Sequence, residues 1–150
     1  MNTQINLDAS LAVIASELRS GGWPLLDYLA RLEQRFNERE PAVLAFVPED
    51  GRFPRLHQQA QELLEKYPNP AERPSLFGIP LGVKDIFQVE GFTTRAGSQL
   101  PTDLLQGSEA SSVTVLRQAG ALILGKTVTT EFAYFGPGPT RNPHNSQHTP

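Results

Sequence analysis

Apolar residues over the first part of the chain recur at helical spacing. Leu11, Ile14, Ala15 and Leu18 fall at i, i+3, i+4 and i+7 and line one face of a helix, with Asp8 as a plausible cap and Gly21-Gly22 as the stop. Pro24 suits the first turn of a second helix, where its missing N–H would be unpaired anyway. Leu25, Leu29, Leu32 and Phe36 then share a stripe, while Arg31, Glu33, Arg35 and Glu38 stay largely outside it. The period changes at Ala42-Val43-Leu44-Ala45-Phe46-Val47, a continuous apolar run between Pro41 and Pro48 that predicts a buried strand. After the turn at Glu49-Asp50-Gly51, Leu56, Ala60, Leu63, Leu64 and Tyr67 return to a single helical face. The prolines from Pro68 to Pro74 break regular structure and form a connector.

Beyond that connector the pattern alternates. It predicts a strand at about 79 to 84, turns through Gly91 and Gly97, a helix at about 109 to 119 and a strand at 121 to 124. Strand, helix and strand in succession make α/β the natural class. The tail from Phe135 to Pro150, with four prolines and two glycines and almost nothing apolar, reads as loop or disorder. The chain thus divides into a mainly helical region over 1–73 with one buried strand, and a second region over 74–150.

Composition narrows the class. The 150 residues are 39% hydrophobic and 19% charged, which fits a soluble globular protein with a core and not a disordered one. A formal net charge of -3, with both signs mixed along the chain, gives no nucleic-acid surface. The absence of cysteine removes disulfides, thiol catalysis and cysteine-ligated metal, and suits a cytoplasmic protein. Met1–Asp8 lacks a basic segment and carries an acid before the first apolar stretch, unlike a secretory signal. No apolar run approaches the ~18 residues of a membrane span. The chain reads as soluble, unexported and not membrane-bound.

The strongest chemical signal is Gly78-Ile-Pro-Leu-Gly-Val-Lys84-Asp85, which sets a lysine at the end of a run that reads as a buried strand. A solvated lysine titrates at about 10.4, so a lysine base working near neutral pH must sit roughly three pH units lower, a difference of about 4 kcal/mol. Burial is one way to achieve that. The plain alternative is a strand-end lysine whose stem packs and whose head reaches water. Asp85 would face the other way, since strand neighbours alternate, and is better suited to structural hydrogen bonding than to catalysis.

The surroundings of Lys84 favour the chemical reading. Leu76-Phe77-Gly78-Ile79-Pro80-Leu81-Gly82-Val83-Lys84-Asp85 is followed in order by Gly91, Thr93, Thr94, Gly97-Ser98, Val113, Leu116, Ala119-Gly120-Ala121, Gly125-Lys126-Thr127, Glu131-Phe132-Ala133 and Arg141-Asn142-Pro143. That ordered set resembles the N-terminal part of the amidase signature family, over about residues 74 to 150. The resemblance implies an α/β fold in which N-terminal helices precede the first part of a mixed sheet flanked by helices. It implies an amidase that hydrolyses carboxamide C–N bonds through a Ser, cis-Ser, Lys triad, with Lys84 as the catalytic lysine. Lys84 would take the nucleophile's proton through the bridging serine and later return one to the leaving amine.

In that family both serines and the glycine-rich oxyanion loop follow a His-Thr-Pro-like turn, and this sequence ends at His148-Thr149-Pro150. The chain alone is therefore expected to be inactive, as the start of a truncated catalytic core or as one half of a split enzyme or subunit paired with a separate chain. The resemblance implies no metal or organic cofactor, a small-molecule amide as substrate, and a homodimer as one assembly open to the complete enzyme. It places Phe132 near the active-site floor. Relatives that include tRNA-dependent amidotransferase subunits often carry asparagine after the threonine, where this sequence has Val128-Thr129, a departure that favours a free-standing amidase.

Competing signals are weaker. Gly120-Ala-Leu-Ile-Leu-Gly125-Lys126-Thr127 has the spelling of a P-loop nucleotide binder. A phosphate cradle needs a strand before it and a helix starting at its Lys-Thr, whereas here a helix precedes and the middle residues are an apolar strand. Ser111-Ser112 lies in a helical pattern without the glycines of a catalytic turn. Ser98 suits a structural place in a loop near the site. His144 and His148 are four apart between Pro143 and Pro150, with no helix and no third metal ligand evident, and His57 reads as a surface residue.

Overall fold

The computed structural model describes residues 5–134 and 136–150. The readings of Met1–Gln4 and of Phe135 as the first tail residue lie outside the described residues. The first helix, α1, spans Leu11–Ser20 and buries Ile14 and Leu18, while Leu11 is 59% exposed. Its cap is Ser10 and not Asp8: the Ser10 hydroxyl accepts from the Val13 N–H at 3.4 Å. Only a side chain immediately before the first helical residue can reach that N–H. Asp8 stands two residues too early and pairs with Arg35 at 2.7 Å.

The second helix, α2, spans Leu25–Val43 and runs through Pro41. The predicted strand at 42–47 therefore does not form. Ala42 and Val43 close the helix, Leu44 turns left-handed at φ 55°, and Phe46 makes only an isolated antiparallel bridge to Thr127. Pro41 sits in the last turn, where a missing N–H removes one bond and leaves the preceding turns intact. Leu29, Leu32 and Phe36, packed into the core, hold those turns in place. The segment after the helix then runs beside a later strand, with Val47 N donating to Lys126 O at 2.9 Å and Val128 N to Ala45 O at 2.8 Å.

The third helix, α3, spans Arg52–Lys66 and buries Leu56 and Ala60, as its spacing predicts, together with Arg52 and Phe53. Strand β1 follows at Pro80–Lys84, helix α4 at Ser111–Gln118 and strand β2 at Leu122–Thr127. β2 thus extends three residues beyond its predicted end and takes in Gly125-Lys126-Thr127. The strands pair in parallel, Pro80 opposite Leu122 and Lys84 opposite Thr127. α3 packs on β2, and α2 packs on α3. The larger core cluster joins residues from both sides of the proline-rich connector, among them Leu18, Leu29, Leu56, Phe77 and Leu124; a smaller one gathers Val83, Val89, Val113 and Ile123. The α/β class is as the sequence predicts.

The sheet carries one irregularity. Leu81 pairs with Ile123 but Gly82 pairs with Gly125, so Leu124 is an extra residue on β2. A bulge leaves backbone groups outside the ladder, and α3 supplies their partner: Arg55 donates to Ile123 O at 2.8 Å and Leu124 O at 3.3 Å. Glu49 binds Arg55 at 2.7 Å and Arg52 at 3.2 Å, and the Arg52 guanidinium lies over the rings of Phe36 and Phe46. A Cβ on Gly125 would stand 3.2 Å from Arg52 Nε and 3.3 Å from Glu49 Oε2, so any larger residue at the bulge would press on this cluster.

Candidate functional site

β1 ends at Lys84, and the strand's alternation sorts the residues around it. Val83 and Asp85 are buried, whereas Lys84 between them is exposed. Among the described residues nothing covers the lysine head, whose burial was one expectation from the sequence. Instead Lys84 stands on the open face of the strand end and lines a cavity of about 410 Å³ with Val128, Thr129, Thr130, Pro137, Gly138 and other tail residues. None of the residues around that cavity is a serine among those described.

Behind Lys84 lies a buried polar cluster. Asp85 is 2% exposed and Lys126 3% exposed, and Lys126 Nζ stands 2.7 Å from Asp85 Oδ1. Lys126 also donates to the Thr94 hydroxyl at 2.9 Å, and that hydroxyl donates to Phe87 O at 3.2 Å. Asp85 Oδ2 accepts from Arg95 N at 3.2 Å. The backbone of Asp85 donates to Thr127 O at 3.0 Å and accepts from Ala96 N at 2.9 Å. Two opposite charges can stay in a dry interior only when paired and hydrogen-bonded in this way. The structural role foreseen for Asp85 is the one it fills.

The turn behind the cluster is tight. Ala96 is left-handed at φ 52°, and its carbonyl accepts from Phe132 N at 2.8 Å. Gly97, at φ 67°, brings its backbone so close to the next wall that a Cβ would stand 2.8 Å from Thr129 O and 2.9 Å from Thr130 O. Ser98 is buried, donating to Arg95 O at 2.8 Å and accepting from Leu100 N at 3.3 Å, which is a turn-closing role. Phe132 is 51% exposed among the described residues. Its left-handed backbone at φ 49°, tied to Ala96, leaves the ring on the surface.

The remaining candidates separate from Lys84. Ser111 and Ser112 are exposed at the start of α4. Gly125, Lys126 and Thr127 belong to β2, and the ammonium that a phosphate would require is committed to Asp85, so Gly120–Thr127 does not form a phosphate cradle. His57 stands 3.6 Å from Glu33 and links α3 to α2. His144 and His148 lie in the tail loop, and no group of three or more His, Asp or Glu side chains is placed to hold a metal among the described residues. Sequence reading did not identify Lys126 as the partner of Asp85. The available signal was a lysine inside an apolar run, one strand after an aspartate that alternation sets on the face opposite Lys84.

Comparison with known proteins bears directly on this arrangement. The family model described as Amidase matches residues 27–150. A glutamyl-tRNA(Gln) amidotransferase subunit from Sulfurisphaera tokodaii is 33% identical over 132 residues, covering 83% of this chain and 26% of that protein. A solved peptide amidase in complex with the competitive inhibitor chymostatin is similar at a TM-score of 0.80 and 26% identity, covering 95% of this chain and 31% of that one. A vestigial protein complex described as revealing the origins of an s-triazine catabolic enzyme gives a TM-score of 0.77 at 28% identity, covering 92% of this chain and 31% of that one. The chain spans between a quarter and a third of the length of these relatives. Amidotransferase subunits and peptide amidases both match, so the difference at Val128-Thr129 does not by itself assign the chain to either group.

Proposed function

The chain belongs to the amidase family, and on that footing we propose that it supplies the general-base lysine, Lys84, of an enzyme that hydrolyses carboxamide C–N bonds. The observation that carries this reading is the placement of Lys84 at the end of β1, where it lines a cavity of about 410 Å³, a volume in the range of small-molecule sites. In the reaction, a serine hydroxyl attacks the amide carbonyl while its proton passes by way of a second serine to the Lys84 amine. The tetrahedral intermediate collapses as the lysine returns a proton to the departing amine. Water then hydrolyses the acyl-enzyme by the same route. The chemistry needs no metal or organic cofactor.

Both serines and the donors for the oxyanion are contributed, in this reading, by chain outside these 150 residues. Residues 1–73 form a helical entry region and 74–150 the start of the catalytic core. The 150-residue segment by itself is then without activity. A second reading, that the segment works as one component paired with a separate chain, is favoured by the matched amidotransferase relative and the vestigial complex.

The test is turnover of a simple aryl amide by the protein encoded by the complete reading frame. Lys84→Ala is expected to lower kcat by about 10³-fold or more with an unchanged thermal melt, as loss of a member of a catalytic unit does elsewhere. Turnover within a few-fold of the parent would remove Lys84 from the mechanism. Hydrolysis by residues 1–150 alone that survives Lys84→Ala would remove the mechanism itself.

A further inference from the structure

Asp85 spends every polar group it has on fixing its own position: N to Thr127 O, O to Ala96 N, Oδ1 to Lys126 Nζ and Oδ2 to Arg95 N. Lys84 precedes it by one residue, so the same bonds fix the peptide from which the Lys84 side chain projects. The cluster also reaches the far wall of the Lys84 cavity. Ala96, held by Asp85, accepts from Phe132 N, and Gly97 lies against the carbonyls of Thr129 and Thr130, two of the residues lining that cavity. One buried ion pair therefore ties together the lysine's strand end and the wall opposite it.

We infer that Lys126 and Asp85 are positioning residues for Lys84, holding its side chain and the Thr129–Thr130 wall in the geometry that proton transfer requires. The inference rests on the proposed role of Lys84. Packing alone does not call for this arrangement. A buried ion pair contributes little net stability over an apolar pair of similar volume, because desolvation offsets the attraction. What the pair supplies and an apolar pair cannot is direction: Asp85 accepts an N–H from the 94–98 turn on one oxygen and faces a cation anchored in β2 on the other. Misplacement of a catalytic group by about 1 Å costs on the order of 10²-fold in rate, so such direction has consequences at the reacting atoms.

The experiment exploits that difference. The double variant Asp85→Leu/Lys126→Met replaces the pair by apolar side chains in the complete protein. The expected result is a cooperative melt near that of the parent, a KM within about threefold and a kcat about 10- to 100-fold lower. A double variant that melts normally and keeps its kcat would show that the pair only fills space, and would overturn the inference. If the double variant does not fold, Thr94→Val decides. It keeps shape and removes the hydroxyl that fixes Lys126; a lower kcat with an unchanged melt supports the inference, and an unchanged kcat overturns it. Lys84→Ala, measured in parallel, separates the two readings. An active Lys84→Ala enzyme defeats the proposed mechanism, whereas an inactive one beside an active double variant defeats only the positioning role.

Discussion

At the scale of single residues, the sharpest contrast is between two lysines on adjacent strands. Lys84 is exposed beside a cavity, and Lys126 is buried against Asp85. Alternation along β1 explains Lys84, because Val83 and Asp85 turn inward and Lys84 outward, whereas Lys126 belongs to β2, where Leu122 to Lys126 are all buried. Lys126→Met on its own would strand the Asp85 carboxylate in the interior. It is expected to destabilise the protein by about 3–5 kcal/mol, and the loss is to be read from the urea midpoint at constant slope. A shift below about 1 kcal/mol would mean that water reaches Asp85. Lys84 was legible as a candidate because a distinctive run of residues surrounds it, and alternation put Asp85 on the face opposite it. Lys126 was not, because its run has the spelling of a phosphate loop and its partner lies far away in sequence. Nothing local distinguishes a lysine paired across a sheet from one at a turn.

Elements were legible where one amphipathic face decided them and illegible where a long-range partner did. Helices α1, α3 and α4 and strand β1 fall close to their predicted spans, since a single face of each is buried. The run at 42–47 misled because its apolar residues serve three purposes: ending α2, turning at Leu44 and running beside β2. None of its members is fully buried. The early predicted end of β2 has a related cause. The apolar run ends at Leu124, yet Gly125 continues the strand past a bulge, close to Glu49 and Arg52. The bulge in turn depends on Arg55, whose guanidinium holds the carbonyls of Ile123 and Leu124 and the Glu49 carboxylate. Arg55→Met keeps most of the stem packing and removes those bonds, at an expected cost of about 3 kcal/mol. Hydrogen exchange at the β2 amides checks the mechanism: they should lose protection before those of α2. Uniform loss of protection across both elements would place the role of Arg55 in general packing.

At the scale of the whole molecule, what the described residues form is one side of a sheet. β1 and β2 are its two named strands; β2 has the 45–47 segment along its end, and β1 has no further strand beside it among the described residues. Such an edge presents unpaired N–H and C=O groups that template pairing with another chain. Apolar side chains stand exposed in the segment after it, with Ile86 at 37%, Phe87 at 42% and Leu104 at 67%. Matched relatives are three to four times as long, so chain is available in them to cover such a surface. Residues 1–150 produced alone are therefore expected to self-associate, with an elution volume that falls as loading rises and a melt that broadens or shifts with concentration. Adding a proline in β1, Val83→Pro, would not separate edge pairing from unfolding, so the informative variant is on the exposed apolar segment. Phe87→Lys puts a charge where an incoming chain would pack and leaves the backbone bonds of the turn in place. It should restore a monomer at concentrations where the parent segment associates. A parent segment that is monomeric across that range, with a sharp and concentration-independent melt, would show that these two strands and the helices α2 and α3 form a self-sufficient unit.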